Sequence, residues 1–467
     1  MAVAEDAGAE PAGTADPAGG GAGPGEAQPV LTRRRGFPSP FGIRLRGLAL
    51  GSTFRSLRVR NYRLYAGGQL ASNTGTWMQR TAQDWLVVEL THGSGTALGT
   101  TMALQFLPML LFGLWGGVIA DRFPKRRILM VTRASMGVVS LILGLLVLTG
   151  GAHLWHIYAL AFGLGLITTV DNPSRQSFVV EIVGREHVPN AVALNSATFN
   201  TGRVLGPAVA GLLIGFVGMS PVLLLSAATY VGMLAGLGMM RERQLYAAEP
   251  VRKGRGRVRE GLRYVRGSPV LLLPIIIGGV LGTFAFNFQL MIALMAKHTF
   301  GRGASEFGLL SSALAVGALV GALLAARRRQ ASQRAVVGAA VAFGVLAVVS
   351  GLMPTYIAFM LLLIPVGICT QMFGTSANAF LQLRSAPAVR GRVMALYVMV
   401  FLGGKPLGAP LMGWVGETLG ARFTLIIGGL LSMTVAVVVA AVLARAQGLS
   451  VRPHALPRPH VDVVRPL

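Results

Sequence analysis

The chain has 467 residues, 53% of them hydrophobic and only 13% charged, with a formal net charge of +25. A soluble domain carries roughly 25% charged residues, so the composition excludes an ordinary soluble globule. The arginines lie between apolar runs and build no soluble basic domain, which excludes a nucleic-acid binder. They read instead as orientation signals and contacts for anionic lipid headgroups.

The apolar runs are unbroken rather than alternating, so the spans are helices and not barrel strands. Five segments are expected: a tail and basic juxtamembrane segment (1–58), a first set of six helices (59–240), a basic linker (241–268), a second set of six (269–445) and a tail (446–467). Up to about residue 35 the chain is Ala, Gly, Pro and acidic residues, too poor in apolar side chains to bury a core and expected to be disordered. No apolar stretch follows a basic start there, so no cleavable signal peptide is expected. Arginines from Arg33 to Arg60 then place the N-terminus inside. Twelve spans are predicted, starting near Tyr62, Thr96, Ile128, Leu154, Ala191, Pro221, Val270, Phe307, Ala335, Tyr356, Val393 and Phe423. Alternate loops are rich and poor in Arg, which predicts an even number of spans with both termini cytoplasmic in a multi-pass cell-membrane protein.

The first span is the most polar. At 100° per residue, Gln69, Ser72, Asn73, Thr76, Gln79, Arg80, Gln83 and Asp84 fall within an arc of about 140°, with Leu70, Met78, Trp85 and Leu86 outside it. Lipid does not accept such a face, so it lines a helix interface or a wet cavity. Asp84 is the one acid placed well inside a span, one turn from Arg80. A proton site needs a carboxyl that a nearby cation can reach and leave, which makes Asp84 the candidate, with structural pairing to Arg80 as the plainer alternative.

Between the second and third spans runs Gly117-Val-Ile-Ala-Asp121-Arg122-Phe-Pro124-Lys125-Arg126-Arg127. It is too short to be a domain and is expected to be a basic cytoplasmic hairpin in which Asp121 needs a partner. In the linker, nine basic residues surround Val258, Leu262 and Val265 at helical spacing. Part of it either lies on the inner leaflet or is a solvated basic linker. Later polar positions are Asn195, Ser196 and Asn200 in the fifth span, Thr283 and Asn287 in the seventh, and Gln371, Thr375, Asn378 and Gln382 in the tenth. Each is commonly a helix–helix hydrogen bond. Trp77, Phe106, Phe199, Phe286 and Phe373 offer apolar cavity walls.

The halves repeat. Shifting the first by 202 positions lays Gly202, Arg203, Gly206 and Gly211 on Gly404, Lys405, Gly408 and Gly413. A six-plus-six repeat implies two pseudo-symmetric sets of helices with a site between them near the bilayer midplane. Arg203 and Lys405 lie about 15 Å into their spans by helix rise, too deep for easy snorkelling, and read as cavity cations for an anionic or polar group. Gly113/Gly117, Gly202/Gly206, Gly317/Gly321 and Gly404/Gly408 are close-packing pairs, and Pro207 removes a backbone donor that bends the fifth span.

These residues resemble the major facilitator superfamily along nearly the whole length after the tail. Gly117, Asp121, Arg122, Lys125 and Arg126 match its loop signature between the second and third spans, with Pro124 where a Gly is usual. The second half keeps only Gly321 and Arg327 to Arg329 of it. Gly202-x-x-x-Gly206-Pro207-x-x-Ala210-Gly211 is similar to the superfamily's antiporter motif. Gly75-Thr-Trp77-Met-Gln-Arg80 and Asp171-Asn-Pro173-Ser-Arg175-Gln176 resemble the subgroup of bacterial siderophore exporters and macrolide-efflux proteins. The resemblance implies an all-α fold of twelve transmembrane helices. It places the glycine pairs where spans two and eleven, and five and eight, slide past each other. It makes Asp121, with Arg122 and Arg175 nearby, a latch on the N-terminus of the eleventh span when the cytoplasmic side is closed.

The function expected is proton-coupled export of a small organic molecule by alternating access, with import on the same fold or a transport-inactive sensor as alternatives. The expected partners are substrate, protons and anionic lipid, and the expected state is a monomer. An enzyme is not expected: no nucleophile–base pair or metal spacing appears, and Gly116-Gly117 lacks the ending of a phosphate loop. No cofactor or metal is called for, and the single cysteine, Cys369, excludes a disulfide within the chain.

Overall fold

The computed structural model describes residues 55–246, 257–327, 332–387, 389–446, 450–454 and 460–464. The proposed disorder before residue 55, and Arg328 and Arg329, lie outside the described residues. Arg55–Arg58 forms a 3-10 turn, tied down by the Ser56 hydroxyl and amide donating to Asn190 Oδ1 at 2.7 and 3.0 Å. The helices follow as α1 (Arg60–Leu90), α2 (Gly95–Arg122), α3 (Lys125–Leu148), α4 (Leu154–Gly184), α5 (Glu186–Val217), α6 (Met219–Gly238) and α7 (Arg257–Arg266). They continue as α8 (Pro269–Thr299), α9 (Ala304–Ala326), α10 (Gln333–Gly351), α11 (Tyr356–Arg384), α12 (Arg390–Thr418) and α13 (Ala421–Ala446). A short antiparallel pair, β1 (Ser450–His454) with β2 (His460–Val464), follows the last helix.

Eleven of these helices are long and apolar enough to cross a membrane. The 31-residue α1 is long enough but too polar to be among them, because the arc from Gln69 to Asp84 replaces lipid-compatible side chains. The structure buries that arc: Gln69, Ser72, Gln79 and Gln83 are at most 1% exposed. Met78, Trp85 and Leu86 outside the arc are buried too, so the upper half of α1 is enclosed all round. The linker helix α7 is anchored rather than free. Val265 is buried, and the Tyr264 hydroxyl accepts the Ala386 amide at 3.3 Å.

α8 is not one regular helix. A π-turn at Leu281–Ala285 leads to non-helical Phe286 and Asn287 (ψ 32° and 41°), after which the helix restarts at Phe288. α12 is likewise interrupted at Gly404, just before Lys405 and Pro406. Pro406 lacks the amide that would continue the ladder.

Helices α1 to α6 pack among themselves, as α1 on α5 and α6, α2 on α4, and α3 on α6. Helices α8 to α13 do likewise, as α9 and α10 on α11, α13 on α10, and α12 on α8. Extensive contact between the two sets runs along two pairs, α2 with α12 and α5 with α9.

The glycines show how the repeat builds this, and they correct an expectation. Gly202 and Gly206 do not face the other set. They seat α5 on α1, against Asn73, Thr74 and Trp77. Gly404 and Gly408 seat α12 on Thr283 of α8 in the same way, and Gly317 and Gly321 seat α9 on Ile364 and Ile368 of α11. Of the repeated glycines, the ones that cross between sets are Gly211, against Ala304 and Gly308, and Gly413, against Gly95. The reason is angular: Gly211 follows Gly202 by nine residues, about half a turn away on the helix surface. Fold placement alone tells which helices meet, not which face does. A methyl at Gly408 would strike the Thr283 backbone, whereas nothing lies within 4 Å of one at Gly232. Gly408→Ala is therefore expected to cost about 1–3 kcal/mol by overpacking. Gly232→Ala should be neutral or slightly stabilising in the same thermal melts of purified protein.

The two ends of the α2–α12 pair differ. At the Ser94 end the helices touch through Gly95 with Gly413 and Gly99 with Ala409 and Pro410. His298 donates to the Gly93 carbonyl at 2.7 Å, and Ser305 and Ser312 donate to the carbonyls of Gly211 and Val204. Trp85 stacks on Phe307 at 5.6 Å. Toward the hairpin the last glycine packed across that pair is Gly403, against Leu110. Beyond it, Gly113 and Gly117 face open space and Asp121 is exposed. Along this pair the Ser94 end is closely packed, and the α2 face toward the hairpin end splays from its partner.

Candidate functional site

A cavity of about 80 Å³ lies where the broken segment of α8 meets the interruption in α12 and the polar face of α1. Its charged lining is Arg80, Asp84 and Lys405, its amides are Gln105, Asn287 and Gln289, and its rings are Trp77, Phe106, Phe286 and Phe288. Each is there for a local reason. Arg80 and Asp84 lie one turn apart on α1. Asn287 and its neighbours are exposed to the cavity because the helix breaks there, with the Asn287 amide donating to the Thr283 carbonyl at 2.7 Å. Lys405 is brought in by the close seating of Gly404 and Gly408 on α8.

The cations are held by rings rather than by acids. The Arg80 guanidinium sits 5.4 Å from the Trp77 ring centre, and Lys405 Nζ sits 4.6 Å from that of Phe106. Among the described residues no ion pair joins Arg80 to Asp84, so the simple pairing expected from their spacing is not what this conformation uses. Arg80 Nε, Gln105 Nε2 and Gln83 Oε1 are buried without a hydrogen-bond partner. Two cations, Arg80 and Lys405, thus share the cavity lining with one carboxylate, with unsatisfied donors beside them. The cavity is well below the roughly 300 Å³ of a drug-sized site, so it admits one polar or anionic group of a ligand rather than a whole molecule.

Of the cavity residues expected from sequence, the structure brings together Arg80, Asp84, Asn287 and Lys405, with Trp77, Phe106 and Phe286 as walls. It does not place Gln69, Asn73, Thr76, Gln83, Arg203, Asn195, Gln371 or Thr375 on that lining. Gln69 donates to Asn73 at 2.9 Å, Thr76 bonds Tyr230 at 3.0 Å, and Gln371 donates to Thr375 at 3.4 Å. Asn195 Oδ1 is buried and unpartnered elsewhere on α5.

A second charged cluster was missed. Asp171 on α4 is 2% exposed and takes Arg133 of α3 at 2.9 Å, Thr132 at 2.8 Å and Arg175 at 3.7 Å. Arg133 also donates to Ser72 of α1 at 3.0 Å. Asp84 is therefore not the one acid deep in a span, and Arg175 sits inside α4 on Asp171 rather than at Asp121. The signal was an Arg five positions past Ile128, the start of an apolar run, together with an Asp well inside the next.

In the hairpin, Lys125 pairs with Glu181 at 2.9 Å. Arg126 pairs with Glu242 and donates to the carbonyls of Leu237 and Gly238 at 2.8 and 3.0 Å, closing the end of α6. Arg122 and Asp121 are exposed, and among the described residues neither has an ion-pair partner. The partner expected for Asp121 is absent because the helices splay at that end.

A family model described as transmembrane secretion effector matches residues 51–464. The enterobactin exporter EntS of Shigella boydii is 26% identical over 341 residues, spanning 70% of this chain and 78% of its own. That of Citrobacter koseri is 26% identical over 362 residues, spanning 74% and 84%. Among solved structures, a POT family transporter in complex with a thioalcohol-conjugated peptide aligns with TM-score 0.68 at 11% identity, over 83% of this chain and 96% of that one. An inward-facing, occupied bacterial homologue of the human lysosomal transporter Spinster aligns at 0.63 and 16% identity, over 83% and 97%. A D-xylose–proton symporter aligns at 0.61 and 16%, over 82% and 97%.

Proposed function

The chain belongs to the transmembrane secretion effector family of the major facilitator superfamily, a multi-pass membrane transporter and not an enzyme, and we propose that it exports a small organic molecule in exchange for protons. In this reading α1 is the twelfth span, because its polar arc is enclosed by other helices and never meets lipid. The two sets are six-helix halves that rock about the α2–α12 and α5–α9 contacts, as the repeat of Gly202–Gly211 in Gly404–Gly413 supports. The Arg-rich hairpin end is cytoplasmic, so the conformation described is open to the cytoplasm and closed outside, the state in which an exporter loads.

The observation that carries the reading is the cavity where Arg80, Lys405 and Asp84 meet at the break in α8. Discontinuous helices at mid-membrane are where such carriers hold substrate and coupling ion. Two cations flanked by aromatic rings suit the anionic group of an aromatic or otherwise rigid metabolite. The named activity of the relatives makes a siderophore the first substrate to try, with antibiotics next. The direction of coupling is tested in proteoliposomes carrying an imposed pH gradient. Export by exchange predicts that substrate moves against the proton flow and that collapse of the gradient cuts accumulation at least tenfold. Substrate moving with the protons would instead establish import, as in the symporter that shares the fold.

A further inference from the structure

We propose that Glu417 is a second carboxylate latch on the α2–α12 pair, holding the Ser94 end closed as the reciprocal of Asp121 at the hairpin end. Helices α2 and α12 run antiparallel and come from opposite sets. Asp121 stands at the C-terminal end of α2, and Glu417 at the C-terminal end of α12. Each therefore belongs to the same end of the pair as the N-terminus of the other helix, where unsatisfied amides and the helix dipole attract an anion.

In this structure one of the two is engaged. Glu417 Oε2 accepts the Thr96 amide at 3.0 Å and the Ser94 hydroxyl at 3.1 Å. Ser94 is the N-cap of α2 and itself takes the Ala97 amide at 3.2 Å. The acid from one set thus completes the cap of a helix in the other. The neighbouring bond from His298 to the Gly93 carbonyl crosses the same seam, and the backbone contact of Gly95 with Gly413 brings the two ends within reach.

Asp121 is disengaged. From the contact of Leu110 with Gly403, it lies about 16 Å further along α2, and Arg390, where α12 begins, about 20 Å further along that helix. The two points are at matching depth on helices that splay. Rocking the halves to close the hairpin end would bring Asp121 to the α12 N-terminus and pull Glu417 off that of α2. One helix pair then carries two latches that engage alternately. This rests on α2 and α12 belonging to opposite halves and is independent of substrate, direction or coupling ion.

The test needs no substrate. In a Cys369→Ser background, spin labels at His153 and Leu352 report the Ser94 end, and labels at Arg63 and Arg384 report the hairpin end, in purified protein in lipid nanodiscs. Glu417→Ala is expected to lower the ratio of closed to open populations at the Ser94 end about fivefold, the scale of an exposed charge-assisted cap. Asp121→Ala should shift both distances the opposite way. Ser94→Ala, which leaves the Thr96 contact, should shift less than Glu417→Ala. If the alanine variant does not reach the membrane, Glu417→Gln carries the test, keeping shape and an accepting oxygen without the charge, with a smaller shift in the same direction. Distance distributions unchanged from wild type, or Glu417 and Asp121 variants shifting in the same sense, would overturn the proposal. Failure of the flux experiment would leave it standing.

Discussion

Arg133→Met is expected to be the most damaging single substitution for stability, lowering the apparent melting temperature in detergent by roughly 5–15 °C. Arg133 is 3% exposed and Asp171 2%. Removing the guanidinium strands a carboxylate that has left water, keeping only the Thr132 hydroxyl at 2.8 Å and the more distant Arg175. Breaking a buried pair from one side costs about 3–5 kcal/mol, whereas replacing both partners is often close to neutral. The double variant Arg133→Met with Asp171→Asn should therefore recover most of the loss. A double variant as unstable as the single would mean that the cluster stabilises through packing and the Ser72 contact rather than charge. The cluster ties α1, α3 and α4 together, so its loss should also weaken the seating of the polar arc.

Span starts were legible because hydropathy and loop charge are local signals. The predicted Tyr62, Thr96, Leu154 and Tyr356 fall within two residues of the observed starts at Arg60, Gly95, Leu154 and Tyr356. The fifth span was placed at Ala191 but begins at Glu186, since α4 and α5 abut at Gly184 (φ 70°) with no polar loop between them. The site was legible only in part. Arg80, Asp84, Asn287 and Lys405 were found because each is polar at a depth where polarity is costly. Gln105 and Gln289 carry the same signal and were overlooked. What could not be read was which way a face turns. Gln69, Thr76 and Gln79 share the arc of Arg80 yet face neighbouring helices. The break at Phe286–Asn287 has no proline or glycine of its own to announce it. The opening of one end is a property of the whole assembly that no local pattern encodes.

Asp84→Asn is expected to abolish coupled transport while leaving a folded protein. The side chain is 5% exposed and, among the described residues, has no ion-pair partner, so an isosteric neutral amide removes no bond that holds the structure. What it removes is the one carboxyl in the cavity that can exchange a proton. The available move is a swing of Arg80. Its guanidinium now rests over Trp77 at 5.4 Å with Nε unsatisfied, one helical turn from Asp84. A carboxyl that gains a cation sheds its proton, and one that loses a cation takes a proton up. A substrate that displaces Arg80 from Trp77 toward Asp84 would release a proton on binding, which is exchange. A substrate anion that captures Arg80 for itself would draw a proton in, which is co-transport. Proton release or uptake measured as siderophore is titrated into weakly buffered, detergent-purified protein therefore decides both the site and the sense of coupling. Wild type is expected to release close to one proton per substrate bound and Asp84→Asn none, with Asp84→Asn still binding substrate but unable to concentrate it. Equal release by the two proteins would make Asp84 a structural residue and move the coupling site elsewhere, with the Asp171 cluster the next group to substitute.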